Sequence, residues 1–444
     1  MRWLVGTKPA STFTRMWNEL GAINGRPVLN YREFLRVEGA HGEALSFTSN
    51  LDELSRDAKK ISPEDGPRID ALIRAARSCA SLDPPAKRLE LMSHWEKTRL
   101  LFQCLPMLIT VVRWKGKTLA EYVSTYRHPF LREALTAAAG DPRMSALVLI
   151  MVLGIREYGN VGYVAGGSRA LSEAIQSRYT ALGGVIRYNR EAREIKVEHD
   201  RAVGVLCTAG EFFPAESVVA CADGYSAIFK MLGGKYVGTG LERLYREGEM
   251  FPPLIQVSLG IGRALNEVSE SVSLPLPAAL AGEHAGKDAR LELCVMGEDC
   301  QLCPPGKTVV LARFASNFQY WAKLKAERSA DYRAQKKQLL EAVIRLVDKR
   351  FPGAASVVEQ ADLATPVTYV RYTGNREGSC QGWLPTPRVL HRPIPQSLPG
   401  LENFYMAGHW VQAGGGLPPA ALSGCYAAQS ICAKDGKPFR TALP

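Results

Sequence analysis

Glycines and prolines crowd the stretch NFYMAGHWVQAGGGLPPAALSGCYAAQS, residues 403–430, and their order sets the chemistry it can support. Phe404-Tyr405-Met406-Ala407 is a short apolar run that predicts a buried strand, ended by Gly408. Gly414, Gly415 and Gly416 make a loop without side chains, and Pro418-Pro419 then open an alanine-rich helix. Proline suits a first helical turn because the amide it lacks would have no intrahelical partner there. Strand, bare loop and helix N-terminus, in that order, bring backbone amides and a positive helix end toward an anionic or electron-rich ligand. A glycine-rich crossover without any ligand satisfies the same pattern.

The elements that must position this unit read as an α/β pattern. Thr12 to Leu20 predicts a short helix, and alternation in YREFLRVEGAHGEALSFTS predicts two strands of a small antiparallel sheet joined at Gly39 to Gly42. Helical patterns follow over Pro63–Ser81, Pro85–Pro106, Leu119–Thr125, Pro129–Ala139 and Pro142–Ile155. From Gly162 the chain reads as a loop, a helix over Ser168–Leu182 with Ser168 as its N-cap, a strand over Gly184–Tyr188, a hairpin and a last strand. Pro252–Leu265 and Lys307–Ala315 predict further strands. Asp331–Phe351 predicts a long helix with Leu339, Leu340, Val343, Leu346 and Val347 on its apolar face.

Length and composition bound the function. With 444 residues, 46% of them hydrophobic, the chain can bury the cores of two domains. A net charge of +11 permits attraction to anionic membranes or phosphorylated ligands, and a merely basic surface explains it equally. No interleaved aromatic and basic module points to nucleic acid. Ten scattered cysteines fit a reducing compartment, so a cytoplasmic location is expected. Cys300-Gln301-Leu302-Cys303 stands alone without histidines at ligand spacing, so no metal is expected. Two apolar runs, Leu100–Val112 (interrupted by Pro106) and Met144–Ile155, fall short of the ~20 residues a membrane span needs. They read as buried helices, or as helices that dip into a membrane surface.

Three ordered stretches carry a resemblance. AGHWVQAGGGLPPAALSG resembles the C-terminal flavin-contacting signature of the phytoene-desaturase-like FAD oxidoreductases of the amine-oxidase superfamily. GYVAGGSRALSEAIQSRYTALGG through Ala222-Asp223-Gly224 resembles a second signature of that family. Thr365-Pro366-Val367-Thr368 with Gly378-Ser379 and Gly382-Trp383 resembles a third. The resemblance implies a Rossmann-like FAD-binding domain, built from residues 1–25, 160–250 and 384–444. An α+β substrate-binding domain would take residues 26–159 and 251–383. It also implies FAD contacts at Gly408, His409, Gly414, Gly415, Gly416, Leu417 and Pro418, with Ala192 passing the adenine and Asp223 near the cofactor. His409 departs from the acidic residue common at its position. Asp223 serves equally as a turn residue.

RWLVGTKPASTFTRMWNELGAI resembles a segment one βαβ unit into the family's proteins, and no GxGxxG turn precedes it here. Gly260-Ile261-Gly262 has Leu265 for the third glycine, with the polar stretch Asn266–Ser271 where a helix should be. Gly238-Thr239-Gly240 has Arg243 at the third position. The expectation is an N-terminally truncated FAD domain that binds its cofactor weakly and aggregates.

The resemblance implies hydride exchange with carbon–carbon bonds of an apolar polyene or isoprenoid. An inactive lipid-binding remnant and an amine-oxidase-like enzyme are the alternatives. No Ser-His-Asp, metal or paired-carboxylate set stands out. Arg371, Tyr372 and Arg376 could polarise a substrate end or be structural, and no catalytic residue is nominated.

Overall fold

The computed structural model describes residues 3–441 except 10, 24, 82, 267–270 and 287–288. Met1-Arg2 and most of the polar stretch after Asn266 therefore lie outside the described residues. The chain opens with β1 (Leu4–Val5) and α1 (Thr12–Glu19), whose Ser11 cap accepts from the Thr14 amide. β2 (Val28–Leu29) leads to the hairpin of β3 (Glu33–Glu38) and β4 (Ala44–Thr48). A helical lobe follows: α2 (Leu51–Ile61), α3 (Gly66–Ser78), α4 (His94–Trp114), α5 (Leu119–Val123), α6 (Pro129–Ala139) and α7 (Ala146–Glu157).

Next come β5 (Val161–Val164), α8 (Gly167–Ala181), β6 (Ala192–Glu198), β7 (Arg201–Cys207), β8 (Phe212–Pro214) and β9 (Val218–Ala220). α9 (Thr239–Glu247) leads to β10 (Leu254–Ile261), β11 (Val272–Pro275), β12 (Arg290–Met296) and β13 (Thr308–Ala315). The chain ends through α10 (Phe318–Glu327), α11 (Ser329–Arg350), β14 (Val358–Ala364), α12 (Pro366–Thr373), α13 (Pro387–Leu390), β15 (Phe404–Met406) and α14 (Leu417–Lys434).

The largest sheet is seven-stranded, in the order β14-β10-β13-β12-β11-β3-β4, antiparallel except where β11 runs parallel to β3. The β3–β4 hairpin, expected as a small sheet of its own, instead extends this one. Period-two alternation divides its central strands. Ile255, Val257, Leu259, Val310, Ala312 and Phe314 are buried in one core with Leu339, Val343 and Val347 of α11. Gln256, Ser258, Leu311 and Arg313 alternate with them and are half-buried on the opposite face. Apart from this sheet stand the parallel pair β9–β15, the meander β6-β7-β8 and a sheet β1-β5-β2.

Several sequence expectations change. Gly184–Tyr188 forms no strand despite its β-branched residues: it pairs with no strand among the described residues, and Val185, Ile186 and Tyr188 lie at least partly open to solvent. A strand without a ladder partner leaves its amides to water and gains nothing over a loop. The N-cap of α8 is Gly166, at φ +84, rather than Ser168, which lies inside the first turn. α4 begins at His94 and runs unbroken through Pro106. A proline there removes one i→i−4 bond, and the turns on either side are long enough to carry the helix past it.

Candidate functional site

β9 and β15 lie side by side in parallel, with Met406 opposite Ala220, and the Ala407 amide donates to the Ala220 carbonyl at 3.0 Å. Both strands therefore leave the pair at one end, β9 into Ala222-Asp223-Gly224 and β15 into Gly408-His409. The ends of parallel strands are where open α/β sheets take their ligands. Ser423 of α14 fixes the exit: its hydroxyl accepts from the Gly408 amide at 2.8 Å and donates to the Ala420 carbonyl at 2.6 Å.

The 375–383 segment closes over the same loop. Trp383 Nε1 donates to the Trp410 carbonyl and Trp410 Nε1 to Asn375 Oδ1, both at 3.1 Å. The Gly414 amide donates to the Trp383 carbonyl at 3.0 Å. The two indoles meet edge to face, 5.4 Å apart. At Gly415 any Cβ would collide with the Gln381 carbonyl oxygen, so this glycine is what lets the two loops cross. Gly416, at φ +90, caps α14 with no atom closer than 3.9 Å to where its side chain would stand. Leu417 follows, half-exposed, and Pro418 and Pro419 supply no amide. The helix end thus offers the Leu417 N–H and the dipole rather than a full row of donors.

Asp223 is buried and engaged by backbone. Its Oδ2 accepts from the Ser226 amide at 2.9 Å and its Oδ1 from the Arg376 amide at 3.3 Å. Arg376 in turn donates to the Tyr245 carbonyl at 3.1 Å and stacks on Tyr225, 4.6 Å from the ring centre. Arg371 and Tyr372 are exposed at the end of α12. Burial pulls the His409 pKa below its ordinary value, with Asp223 opposing, so the imidazole is neutral at physiological pH. Its Nε2 is buried without a hydrogen-bond partner among the described residues. Ala192 stands apart: it opens β6 opposite Cys207, and no hydrogen bond among the described residues joins it to the glycine loop. Between the strand ends, Ala220, Ala222, Met406 and Trp410 surround a gap of about 10 Å³, room for one water.

A larger cavity, about 190 Å³, lies between the β5–α8 turn and the half-buried face of the seven-stranded sheet. Tyr163 and Gly167 line one side, and Gln256, Met296 and Arg313 the other. Gly167 belongs to the Gly166-Gly167 turn of the second signature, while Tyr163, Gln256, Met296 and Arg313 are not nominated from the sequence. The available signal was Arg313, a charge set into the apolar strand TVVLARFA. Beside the cavity, Cys300 Sγ lies 3.1 Å from the Tyr31 hydroxyl and Cys303 Sγ donates to the Lys307 carbonyl at 3.2 Å. All ten cysteines are free thiols.

No protein-family model matches the chain. It is 23% identical over 308 residues to the chloroplastic prolycopene isomerase of Arabidopsis thaliana, covering 64% of this chain and 48% of that protein. It is 22% identical over 417 residues to the lycopene-forming phytoene desaturase of Pseudescherichia vulneris, covering 89% of this chain and 81% of that one. The chain spans about half the length of the isomerases it matches. Among solved structures, a redesigned putrescine oxidase superposes with a TM-score of 0.58 at 14% identity, over 97% of this chain and 87% of that one. An oxidoreductase from Methanosarcina mazei superposes with a TM-score of 0.55 at 15% identity, over 95% and 86%. These likenesses establish a shared mixed α/β fold.

Proposed function

The chain is related to the phytoene-desaturase-like oxidoreductases, and from that premise we propose that it is an FAD-dependent enzyme acting on carbon–carbon bonds of a long apolar polyene or isoprenoid. The observation that carries this reading is the meeting of the ends of the three signatures, Ala222–Gly224, Gly378–Trp383 and Gly408–Gly416, at one end of the β9–β15 pair. There Gly415 lets the loop cross Gln381, and the neutral His409, its Nε2 unpartnered among the described residues, offers a free hydrogen-bonding atom to a heterocycle. Gly408, Gly414, Gly416, Leu417 and Pro418 would hold the flavin side, and Asp223 would act by fixing the turn beside it. Bound there, FAD supplies hydride exchange with carbon. The protein's own part is to position the substrate, exclude water and offer His409 Nε2 as a hydrogen-bonding atom. The names of the matched desaturase and isomerase favour a polyene over a polar amine.

The reading includes peripheral contact with an anionic membrane through α4. Among the described residues, no helix is long and apolar enough to cross a membrane. Yet Trp95, Phe102, Ile109 and Val112 of α4 are 75%, 69%, 75% and 74% exposed. Lys97, Arg99 and Arg113 lie exposed on the same helix, the arrangement of a helix that lies in a lipid interface.

The test is flavin titration of the purified chain by fluorescence quenching, with Gly416→Ala and His409→Phe beside it. Stoichiometric binding that weakens about tenfold or more in both variants supports the reading. Absence of quenching by the parent protein would sink it.

A further inference from the structure

The cavity against the seven-stranded sheet combines apolar wall with two buried hydrogen-bond donors that have no acceptor among the described residues. Tyr163 is 1% exposed, and its hydroxyl lines the cavity without a partner among the described residues. It sits close under Gly167, where a Cβ would approach it to 2.8 Å, at the start of α8. Arg313 Nε is likewise buried and without a partner among the described residues. Its Nη2 is engaged, 3.2 Å from the Glu292 carboxylate and 3.5 Å from Cys294 Sγ. Val295, Leu302 and Leu311 supply apolar wall.

A buried hydroxyl without a partner forfeits its hydrogen bond to water and regains nothing. Sites that leave donors in this state discriminate strongly for ligands that satisfy them. Glu292 neutralises Arg313, so these two unpartnered donors, beside the polar Tyr31, Ser168 and Gln256, face a cavity of little net charge. That favours a neutral acceptor over a carboxylate, which would meet Glu292 as a like charge. About 190 Å³ is small beside whole-ligand pockets and suits the end of a longer molecule.

We propose that this cavity receives the oxygen-bearing end of an apolar ligand, a ketone or aldehyde carbonyl that accepts from the Tyr163 hydroxyl and Arg313 Nε. This rests on the reading of the chain as an enzyme of long apolar substrates. It narrows that class to molecules with a terminal carbonyl rather than pure hydrocarbons.

The experiment is calorimetric titration of the full chain with geranylacetone, with the hydrocarbon of the same skeleton, and with the corresponding carboxylate. The ketone is expected to bind at least tenfold tighter than either, a difference of ~1.4 kcal/mol. Tyr163→Phe keeps the ring and removes the donor, so it should erase most of that preference while leaving hydrocarbon affinity within twofold. Its thermal midpoint should stay level or rise, because an unpartnered hydroxyl has gone. Equal affinity for ketone and hydrocarbon, tighter binding of the carboxylate, or equal loss of all three in Tyr163→Phe would overturn the proposal. Flavin content, measured on the same samples, separates the two claims. A protein that binds no flavin yet prefers the ketone defeats the redox reading alone. A flavin-loaded protein indifferent to the ketone defeats the cavity assignment alone.

Discussion

Helices α4 and α7 belong to one lobe and carry apolar runs of similar composition, yet they direct them oppositely. α7 turns Leu149, Ile150 and Leu153 wholly inward, and a Cβ on its Gly154 would strike the Ala76 carbonyl of α3. The two backbones therefore touch. α4 meets the lobe through Met107, Val111 and Trp114, with Thr110 held by the Ser78 hydroxyl at 2.7 Å. Its Leu101, Phe102, Leu105, Ile109 and Val112 face away. Single exposed leucines are ordinary, but an apolar stripe along about three turns is the surface that the proposed membrane contact would use. Hydrophobicity sets how much apolar area a helix carries; packing decides which side of it is already satisfied.

The comparison breaks most easily at α7. Leu149→Ala should cost about 2–5 kcal/mol, a fully buried leucine replaced by a cavity. Chemical denaturation measures it. The same truncation at Ile109 on α4 should change stability by less than about 0.5 kcal/mol. Similar losses at both positions would mean that the outer face of α4 is covered within the folded chain.

The converse experiment moves the effect to the surface. Phe102→Ser with Ile109→Ser should leave the denaturation curve in place while weakening association with phosphatidylserine vesicles at least tenfold. Each side chain buried in an interface contributes about 1.5–3 kcal/mol. Raising salt should weaken the parent's binding further, since Lys97, Arg99 and Arg113 act through a screened field. Vesicle binding unchanged by the double substitution would remove α4 as the membrane contact.

These two helices also show how far the sequence was legible. Apolar periodicity located α7 within a few residues and marked both apolar runs as too short to span a bilayer. It could not say which would be covered, because that depends on α3, α5 and α6 arriving over one of them from elsewhere in the chain. The glycine stretch was legible for a local reason: positive φ at Gly408 and Gly414–Gly416 is dictated by residue type. The β-branched run Gly184–Tyr188 predicts a strand that does not form, because a strand exists only with its neighbour. Tyr163 and Arg313 went unnoticed because their cavity joins β5 to β13 across the chain. The crossing at Gly415 carries a lesson for design. A Gly415→Val variant would disrupt the meeting with Gln381 whether or not a flavin binds; Gly416→Ala meets no atom closer than 3.9 Å but is strained at φ +90, so its thermal midpoint is read beside its flavin affinity.

The smallest effect lies in how the two helices begin. α7 starts at Ser145, a buried cap whose hydroxyl lies 3.2 Å from the Leu147 amide it accepts from, with no titratable partner among the described residues. α4 starts with a reciprocal cap: the Ser93 hydroxyl accepts from the Glu96 amide at 3.2 Å and the Glu96 carboxylate accepts from the Ser93 amide at 2.7 Å. That amide, and then Lys87, hold the Glu96 carboxyl down to about 2 from its ordinary 4.5. A carboxyl depressed in the folded state stabilises it above the unfolded value and stops doing so as pH falls through the folded one. Acidification from pH 5 toward pH 2 should therefore loosen the first turn of α4 and leave that of α7 unchanged. Ser93→Ala should loosen the same turn at neutral pH by about 1 kcal/mol, roughly a fivefold loss of amide protection at residue 96. Hydrogen exchange, read residue by residue in both helices, makes the measurement. Equal loosening of both first turns on acidification would show that the lobe opens as one unit and that the cap of α4 has no separate part in it.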